Sequence, residues 1–339
     1  MARQRQRIHW TTVPVVRLTI LALFWGACGG GGGGGGSPTD PGGVAPPTGS
    51  VTGNLQGTVV GLDNASMSFA GTEVELLGLA TTTVNASNEW GFESVMAGTY
   101  TLVFRGAGHL ERRIRVNVLA NGISRFANLT LVEPGPFRLD NFDDIYREFD
   151  ATAGTIRWTR RPNRVLLDKS SLEVLPQGFD FFDSEIRSAF STWLPENTNG
   201  FFSGTPVRSG DMGLVDPDDF GCEDVEDGDL VIVGIDECPR EDNFLILGTA
   251  THCFNTVGNE VILGAIWFNP CSDETTIRHE IIHILCAGHL DSQVNNSILG
   301  SPGGSDTITD MDRLHMKYLY DRLPGVRSPD NETDARDPD

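Results

Sequence analysis

Basic residues are scarce. The 339-residue chain has 25 Lys and Arg against 46 Asp and Glu, a formal net charge of −21. Nucleic-acid binders need a basic face to replace the counterions around phosphate, so that class is excluded. An acidic surface keeps an exported protein dispersed in water, and the charge licenses no more than that. Long apolar runs are missing as well. The stretch from Leu18 to Trp25 is too short to span a bilayer as a helix. Nothing in the composition calls for an oligomer, and a monomer is the expectation.

What is present at the front reads as an export signal. Arg3, Arg5, Arg7 and Arg17 form a positive segment ahead of the short apolar run. Trp25-Gly26-Ala27-Cys28 then resembles the lipobox of bacterial lipoproteins, with tryptophan where leucine is usual. That resemblance implies a signal peptide over 1–27, lipid on Cys28 and attachment to a membrane. Gly29 after the cysteine resembles lipoproteins sent to the outer membrane, which puts the protein in the cell envelope, at the outer membrane or the cell surface. The glycine tract Gly29 to Gly36 and the Pro-, Gly- and Thr-rich segment after it cannot bury a core. Residues 28–53 therefore read as a lipidated cysteine and a flexible tether. An oxidising envelope allows disulfides. Of the five remaining cysteines, sequence order suggests Cys222–Cys238 and Cys253–Cys271, leaving Cys286 unpaired.

Residues 54–133 show no helical periodicity and no cluster of His, Cys and carboxylates. Ile114, Val116 and Val118 alternate with Arg113, Arg115 and Asn117, and Tyr100, Leu102 and Phe104 alternate likewise, as half-buried strands do. The expectation is a small antiparallel β-sandwich. Gly57-Thr58-Val59-Val60, Val74-Glu75-Leu76, Gly91-Phe92 and Ala97 to Leu102 resemble the carboxypeptidase regulatory-like (transthyretin-like) domain. That resemblance implies a spacer, docking or carbohydrate-contact module without chemistry of its own.

In residues 134–325 the decisive stretch is His279-Glu280-Ile281-Ile282-His283, with His289 beyond it. Two histidines one helical turn apart share a helix face. Zinc prefers nitrogen ligands in a tetrahedral shell and keeps one position open in catalytic sites. Glu280, beside the first ligand, can take a proton from water. With His289 counted, the pattern resembles the long zinc motif of the metzincin peptidases, except that Cys286 stands where the family has glycine. The family uses glycine there because the chain turns through a left-handed backbone conformation. Either Cys286 adopts it, or Gly288 supplies the reversal slightly later.

Around this motif, Pro134 to Asp150 reads as an acidic and aromatic connector, and Val165-Leu166-Leu167 as an opening strand. A helix capped by Asp183 should bury Ile186, Ala189, Phe190 and Trp193 and stop before Pro195. The carboxylates between Asp211 and Asp229 form an oxygen-rich run that can hold Ca2+, but they lack EF-hand spacing and read first as a solvated loop closed by Cys222 and Cys238. Val261 to Phe268 is a strand leading into the zinc helix. By resemblance its Gly264, Ala265, Ile266 and Trp267 form the edge to which extended substrate adds. Asn296 to Gly300 resembles the Met-turn, with Leu299 in the methionine's place, and Ser301 to Ser305 would line the adjoining pocket. Thr309 and Asp312 match a capping box that opens a closing helix. Residues 326–339 read as a disordered tail.

The fold expected is α+β and multidomain: the sandwich, then a matrixin-like metzincin α/β domain with a mixed sheet and long helices. The function implied is a zinc endopeptidase acting on extended polypeptide, with His279, His283 and His289 as ligands and Glu280 as general base. Two alternatives stay open: an inactive surface lipoprotein that only binds, and a zinc amidase acting on cell-wall peptide.

Overall fold

A computed structural model describes residues 51–339, apart from 107, 134–136, 138, 147–154, 214–219, 221–223, 239, 242–243, 246–247, 256–259, 291–296, 301–304, 322–332 and 337–339. The expected signal peptide, Cys28 and nearly all of the tether lie outside the described residues. So do Cys222, part of the acidic run (214–219 and 221–223), and residues 301–304 of the expected pocket lining. The described chain is mixed α/β, with several sheets and few helices.

Seven strands build the N-terminal part: β1 (Thr52–Gly61), β2 (Glu73–Leu76), β3 (Ala80–Thr83), β4 (Glu89–Met96), β5 (Gly98–Arg105), β6 (Arg112–Val118) and β7 (Ile123–Leu131). The period-two pattern decides which side chains go inward. In β6, Ile114, Val116 and Val118 are buried while Arg115 and Asn117 are exposed. One sheet runs β4-β1-β7, and the other contains β6-β5-β2-β3. Leu55, Val59, Trp90, Phe104, Phe126 and Leu102 lie in the core that their strands share. Gly57 is needed there, since a β-carbon would sit 2.3 Å from the Phe126 carbonyl oxygen and 2.6 Å from the Trp90 ring. The expectation of an antiparallel sandwich needs one correction, because β1 and β7 pair in parallel. First and last strands become neighbours only after the chain has crossed through the opposite sheet, and such a crossover returns the strand in the same direction.

α1 (Leu139–Tyr146) replaces the connector expected at Pro134 to Asp150. Phe142, Ile145 and Tyr146 recur at helical spacing and are buried, and Phe142 packs on Phe137, His315 and Tyr318. After β8 (Arg157–Trp158) and β9 (Arg164–Asp168) come α2 (Lys169–Glu173) and α3 (Phe179–Ser188). α3 starts after Gly178 without a side-chain cap, so Asp183 is not its cap; it pairs with Arg187 at 2.8 Å. Nor does the helix stop before Pro195. It widens into a π turn over Ala189–Trp193 and continues as α4 (Leu194–Asn197). Proline lacks an N–H and clashes with the carbonyl four residues back, and a widened turn accommodates both.

The strands β10 (Val207–Gly210), β11 (Asp229–Gly234), β14 (Gly248–Asn255) and β15 (Glu260–Phe268) complete a sheet of order β10-β9-β11-β15-β14, and the short pair β12 (Arg240–Glu241) and β13 (Phe244–Leu245) forms a separate hairpin. All neighbours are parallel except β14 against β15. β11 is apolar throughout because both faces are covered: Leu230 and Ile232 join the main core, Val231 and Val233 a smaller one with Phe220 and Val225. Helices cover the main-core face, where Phe182 stacks on Phe268 at 5.3 Å.

The disulfide seen is Cys238–Cys271, which corrects both suggested pairings. β11 and β15 end side by side, with Gly234 opposite Phe268, so the loops leaving them bring these two cysteines together. Cys286 is free and buried. Part of the tail is also ordered: β16 (Thr333–Arg336) runs parallel to β6.

The closing helix α6 (Asp310–Asp321) joins the two parts. Asp321 receives hydrogen bonds from Arg112 at 2.9 Å and from the Thr130 hydroxyl at 2.8 Å, while Arg313 and Lys317 both pair with Asp63. A carboxylate at a helix C-terminus is electrostatically unfavourable, and the buried Arg112 compensates it.

Asp168, fully buried, holds the α2 end of the sheet. Its carboxylate accepts from Ser171 N at 2.9 Å, Ser170 Oγ at 2.9 Å and Met212 N at 2.7 Å. Burial alone would raise its pKa, but these donors outweigh burial and hold it below the ordinary 3.8. Its contribution is complete above the unfolded value and is lost as the pH falls through the lower folded one. Asp168→Ala should lower the unfolding free energy by about 2–4 kcal/mol in urea titrations at pH 7. Below about pH 4 the wild type should lose stability more steeply than Asp168→Asn.

Candidate metal centre

α5 (Glu274–His283) carries the first two histidines. Asp273 caps it, accepting from Thr276 N and Oγ1 at 2.8 Å each. Ile277 and Ile281 press into the core, and the helix lies against β14 and β15. The helix stops at His283 because the chain tightens: Leu285 N bonds to Ile282 O and Cys286 N to His283 O. Cys286 then takes φ +70°, so the reversal falls on the cysteine and not on Gly288. A β-carbon in this conformation costs about 1–2 kcal/mol. Three anchors offset it. Trp158 Nε1 donates to Ile284 O at 2.8 Å, Gly288 N to Ile145 O at 2.6 Å, and His283 Nδ1 to Ala287 O at 2.6 Å.

Beyond the turn His289 comes back to the helix face. The Nε2 atoms of His279, His283 and His289 lie 2.8, 3.0 and 3.2 Å from one another. His279 Nδ1 meets Ile298 O at 2.8 Å, and His283 Nδ1 meets Ala287 O. A carbonyl oxygen can only accept, so both Nδ1 atoms carry the proton and both Nε2 atoms present lone pairs. Lone pairs facing each other at this distance repel unless a cation lies between them. Three nitrogens around tetrahedral zinc stand about 3.3–3.4 Å apart, so the triangle needs to open by only a few tenths of an ångström. The donor set fits a divalent zinc ion. Among the described residues no other group of His, Cys, Asp or Glu gathers this way. In the described part of the expected calcium loop, Asp229 and Glu226 are both bonded to Arg164.

Burial sets the protonation of the site. It pushes the Glu280 carboxyl up to about 8. It also lowers His279, against the opposing effects of Ile298 O and Asp312, and lowers His289 to about 4 with help from neighbouring His279. A dication reverses the balance for Glu280 by favouring its ionised form, while neutral imidazoles are the form that ligates.

Leu299 is buried in the loop that supplies Ile298 O, and its own carbonyl accepts from Leu290 N at 3.0 Å, tying the third-histidine segment to that loop. Gly264, Ala265, Ile266 and Trp267 are not an edge. β15 lies between β11 and β14, and β14 holds the outer position. A strand that leads directly into a central helix has two faces and two edges to satisfy, and the chain uses the preceding strand to cover the second edge.

Asp312 has a part in the site that its place in the sequence did not reveal. It forms the expected capping box, Thr309 N to Asp312 Oδ2 at 2.8 Å and Asp312 N to Thr309 Oγ1 at 3.3 Å. The same buried carboxylate also accepts from the Ser297 hydroxyl and from Ile298 N at 3.1 Å. It thereby fixes the residue whose carbonyl orients His279. The only sequence signal was an acid on the largely apolar inner face of a helix.

No family model and no curated protein matches the chain. Among solved structures, similar stretches occur in two interface mutants of a type II cohesin–X–dockerin complex from Acetivibrio cellulolyticus. These are 22% and 23% identical over 23% and 24% of this chain and 56% and 57% of theirs, with TM-scores of 0.21. A putative carbohydrate binding protein from Bacteroides uniformis is 14% identical over 24% of this chain and 42% of its own, also at 0.21. The chain spans little more than half the length of these structures at most, and overlaps of this kind fix neither its fold nor a ligand.

Asp312→Ala should weaken zinc binding about 10–100-fold, read by competition with a chromogenic chelator, with partial recovery in Asp312→Asn.

Proposed function

We propose that the chain is a zinc-dependent endopeptidase of the matrixin-like metzincin type, acting on extended polypeptide and carried on an exported, lipid-anchored tether. The observation that carries the reading is the convergence of the three Nε2 atoms, two of them with their tautomer fixed by backbone carbonyls. The mixed sheet, the helix with two histidines, the left-handed turn to the third, the loop containing Leu299 and the closing helix follow in the order the resemblance implies. The export and anchor part rests on the leader, Cys28 and the glycine tract alone.

Zinc held by His279, His283 and His289 would polarise a scissile carbonyl and acidify water. Glu280 accepts the proton of the attacking water at its carboxylate and returns it to the leaving amine. His279 and His283 keep their orientation through Ile298 O and Ala287 O, and Asp312 holds the first of these in place. Substrate in extended form pairs with the outer edge of β14, the strand that covers β15 beside α5. β14 replaces Gly264 to Trp267 in that role.

The test is to purify the mature region, measure zinc per chain, and compare turnover of casein and of peptidoglycan in wild type and Glu280→Ala. One zinc per chain and casein cleavage that falls about 10²–10⁴-fold in Glu280→Ala, with zinc retained, are expected. Zinc with no turnover of either substrate would favour the binding protein, and turnover of peptidoglycan alone the amidase. His283→Ala should lose the metal and casein cleavage together.

A further inference from the structure

One end of the sandwich carries no charge. Four stretches, 51–62, 76–88, 94–104 and 116–124, contain no Asp, Glu, Lys or Arg in a chain of which 21% is charged. Strand pairing gathers them. Thr52 in β1 lies opposite Met96 in β4, Asn54 opposite Ile123 in β7, and Gly98 in β5 opposite Val118 in β6. The turn after β2 points the same way, because Leu77 N donates to Thr101 O near the start of β5. The opposite end is charged and covered. Asp63, beyond β1, pairs with Arg313 and Lys317, and Arg112, at the start of β6, pairs with Asp321.

Exposed aliphatic side chains follow the same division. Among the described residues the large apolar side chains left exposed are Val51, Leu77, Leu79, Leu119, Ile123 and Val174. All but Val174 lie at the uncharged end, between 37% and 53% exposed. Single exposed leucines are ordinary, but a group of them on uncharged surface of an acidic protein marks a contact. The nearest charges stand back from it. Arg115 is opposite Thr101, Arg125 is opposite Gln56, Glu93 is exposed on β4, and Glu75 is engaged by Arg105 and Gly78 N. What the end meets follows from where the chain enters it. Val51 succeeds residues 28–50, which start at the cysteine read as lipidated. Even fully extended, those residues cannot carry Val51 farther than roughly 80 Å from Cys28. An anionic bilayer repels a chain of net charge −21, so the uncharged end is the one that approaches it. Aliphatic side chains then gain by entering the interface.

We propose that this end of the sandwich, through Val51, Leu77, Leu79, Leu119 and Ile123, docks on the lipid surface that anchors the chain. The inference rests on the export and anchor part of the function reading and is independent of the metal. β1 runs from the docked end to the end that meets α6, so at about 3.3 Å per residue it holds the second part of the chain roughly 30 Å from the lipid. The sandwich then sets the height and orientation of the metal centre above the membrane, a task beyond that of a simple spacer.

The test uses the full chain, exported, recovered from the envelope and reconstituted in vesicles of phosphatidylethanolamine and phosphatidylglycerol that contain a phospholipid with a photoreactive acyl chain. The mass of the mature chain reports lipid on Cys28, and mapped cross-links report docking. Cross-links should fall on 77–79 and 119–123, and Leu79→Ser with Leu119→Ser should reduce them by at least about 10-fold at equal anchoring. Val174→Ser should leave them unchanged. High salt should not reduce them, because apolar contact is not screened and the repulsion is. Equal hydrogen exchange across β1 and β4 checks that the serine variant is folded. Lipid on Cys28 without cross-links at 77–79 or 119–123 overturns the proposal and leaves the anchor reading intact. A mature chain without lipid sinks the anchor reading instead; docking is then read by sedimentation of the mature region with the same vesicles, where binding weakened by the two serines supports it and no binding overturns it. Loss of cross-links in high salt, or self-association of the mature region that Leu119→Ser abolishes, would also overturn it, the latter by making this end an interface between copies.

Discussion

The three imidazole nitrogens within about 3 Å of one another are the arrangement on which the rest of this structure turns. Converging lone pairs are unfavourable in themselves, so the surroundings have to hold them there. Backbone carbonyls of Ile298 and Ala287 hold two rings, and the left-handed turn at Cys286 delivers the third. Each holder is held in turn: Ile298 by Asp312, and the turn by Trp158 and by Ile145 of α1. A strained residue and a cluster of converging acceptors persist where neighbours over-determine them, and such places are commonly functional.

That dependence runs outward through α6. Asp312, in its first turn, fixes the loop beside the histidines, and Arg313, Lys317 and Asp321 fix the sandwich. Leu62 and Val132, at the ends of β1 and β7, enter the same core as Ile281 and Leu299. The N-terminal module, which its composition presents as a separate spacer, is therefore built against the closing helix. Removing it would take Arg112 away from Asp321 and uncover apolar surface at the back of α6.

Local features were readable wherever a short-range rule governed them. The spacing of His279 and His283 follows from helix geometry, the capping box of Thr309 and Asp312 from the unsatisfied N–H groups at helix starts, and the strands of the sandwich from alternation. Features that depend on chain segments meeting from a distance were misread. The edge position went to β14 instead of Gly264 to Trp267, Cys238 found Cys271, and β1 lay parallel to β7. Strand order and loop juxtaposition carry no period in the sequence. Pro195 and the aromatic connector misled for another reason: a π turn and a short amphipathic helix overrode the local breaker signals.

By itself the sequence determined the three histidines, their order along the chain and the helix face shared by the first two, because 3.6 residues per turn is a property of the backbone. Only the tertiary structure decided that His289 joins them, since that requires a non-glycine residue at φ +70° held by contacts from β8 and α1. It also decided that Asp312 supports the site and that β16 lies along β6, because both are contacts between residues far apart in the chain. Their energy exists only once the fold has brought the partners together.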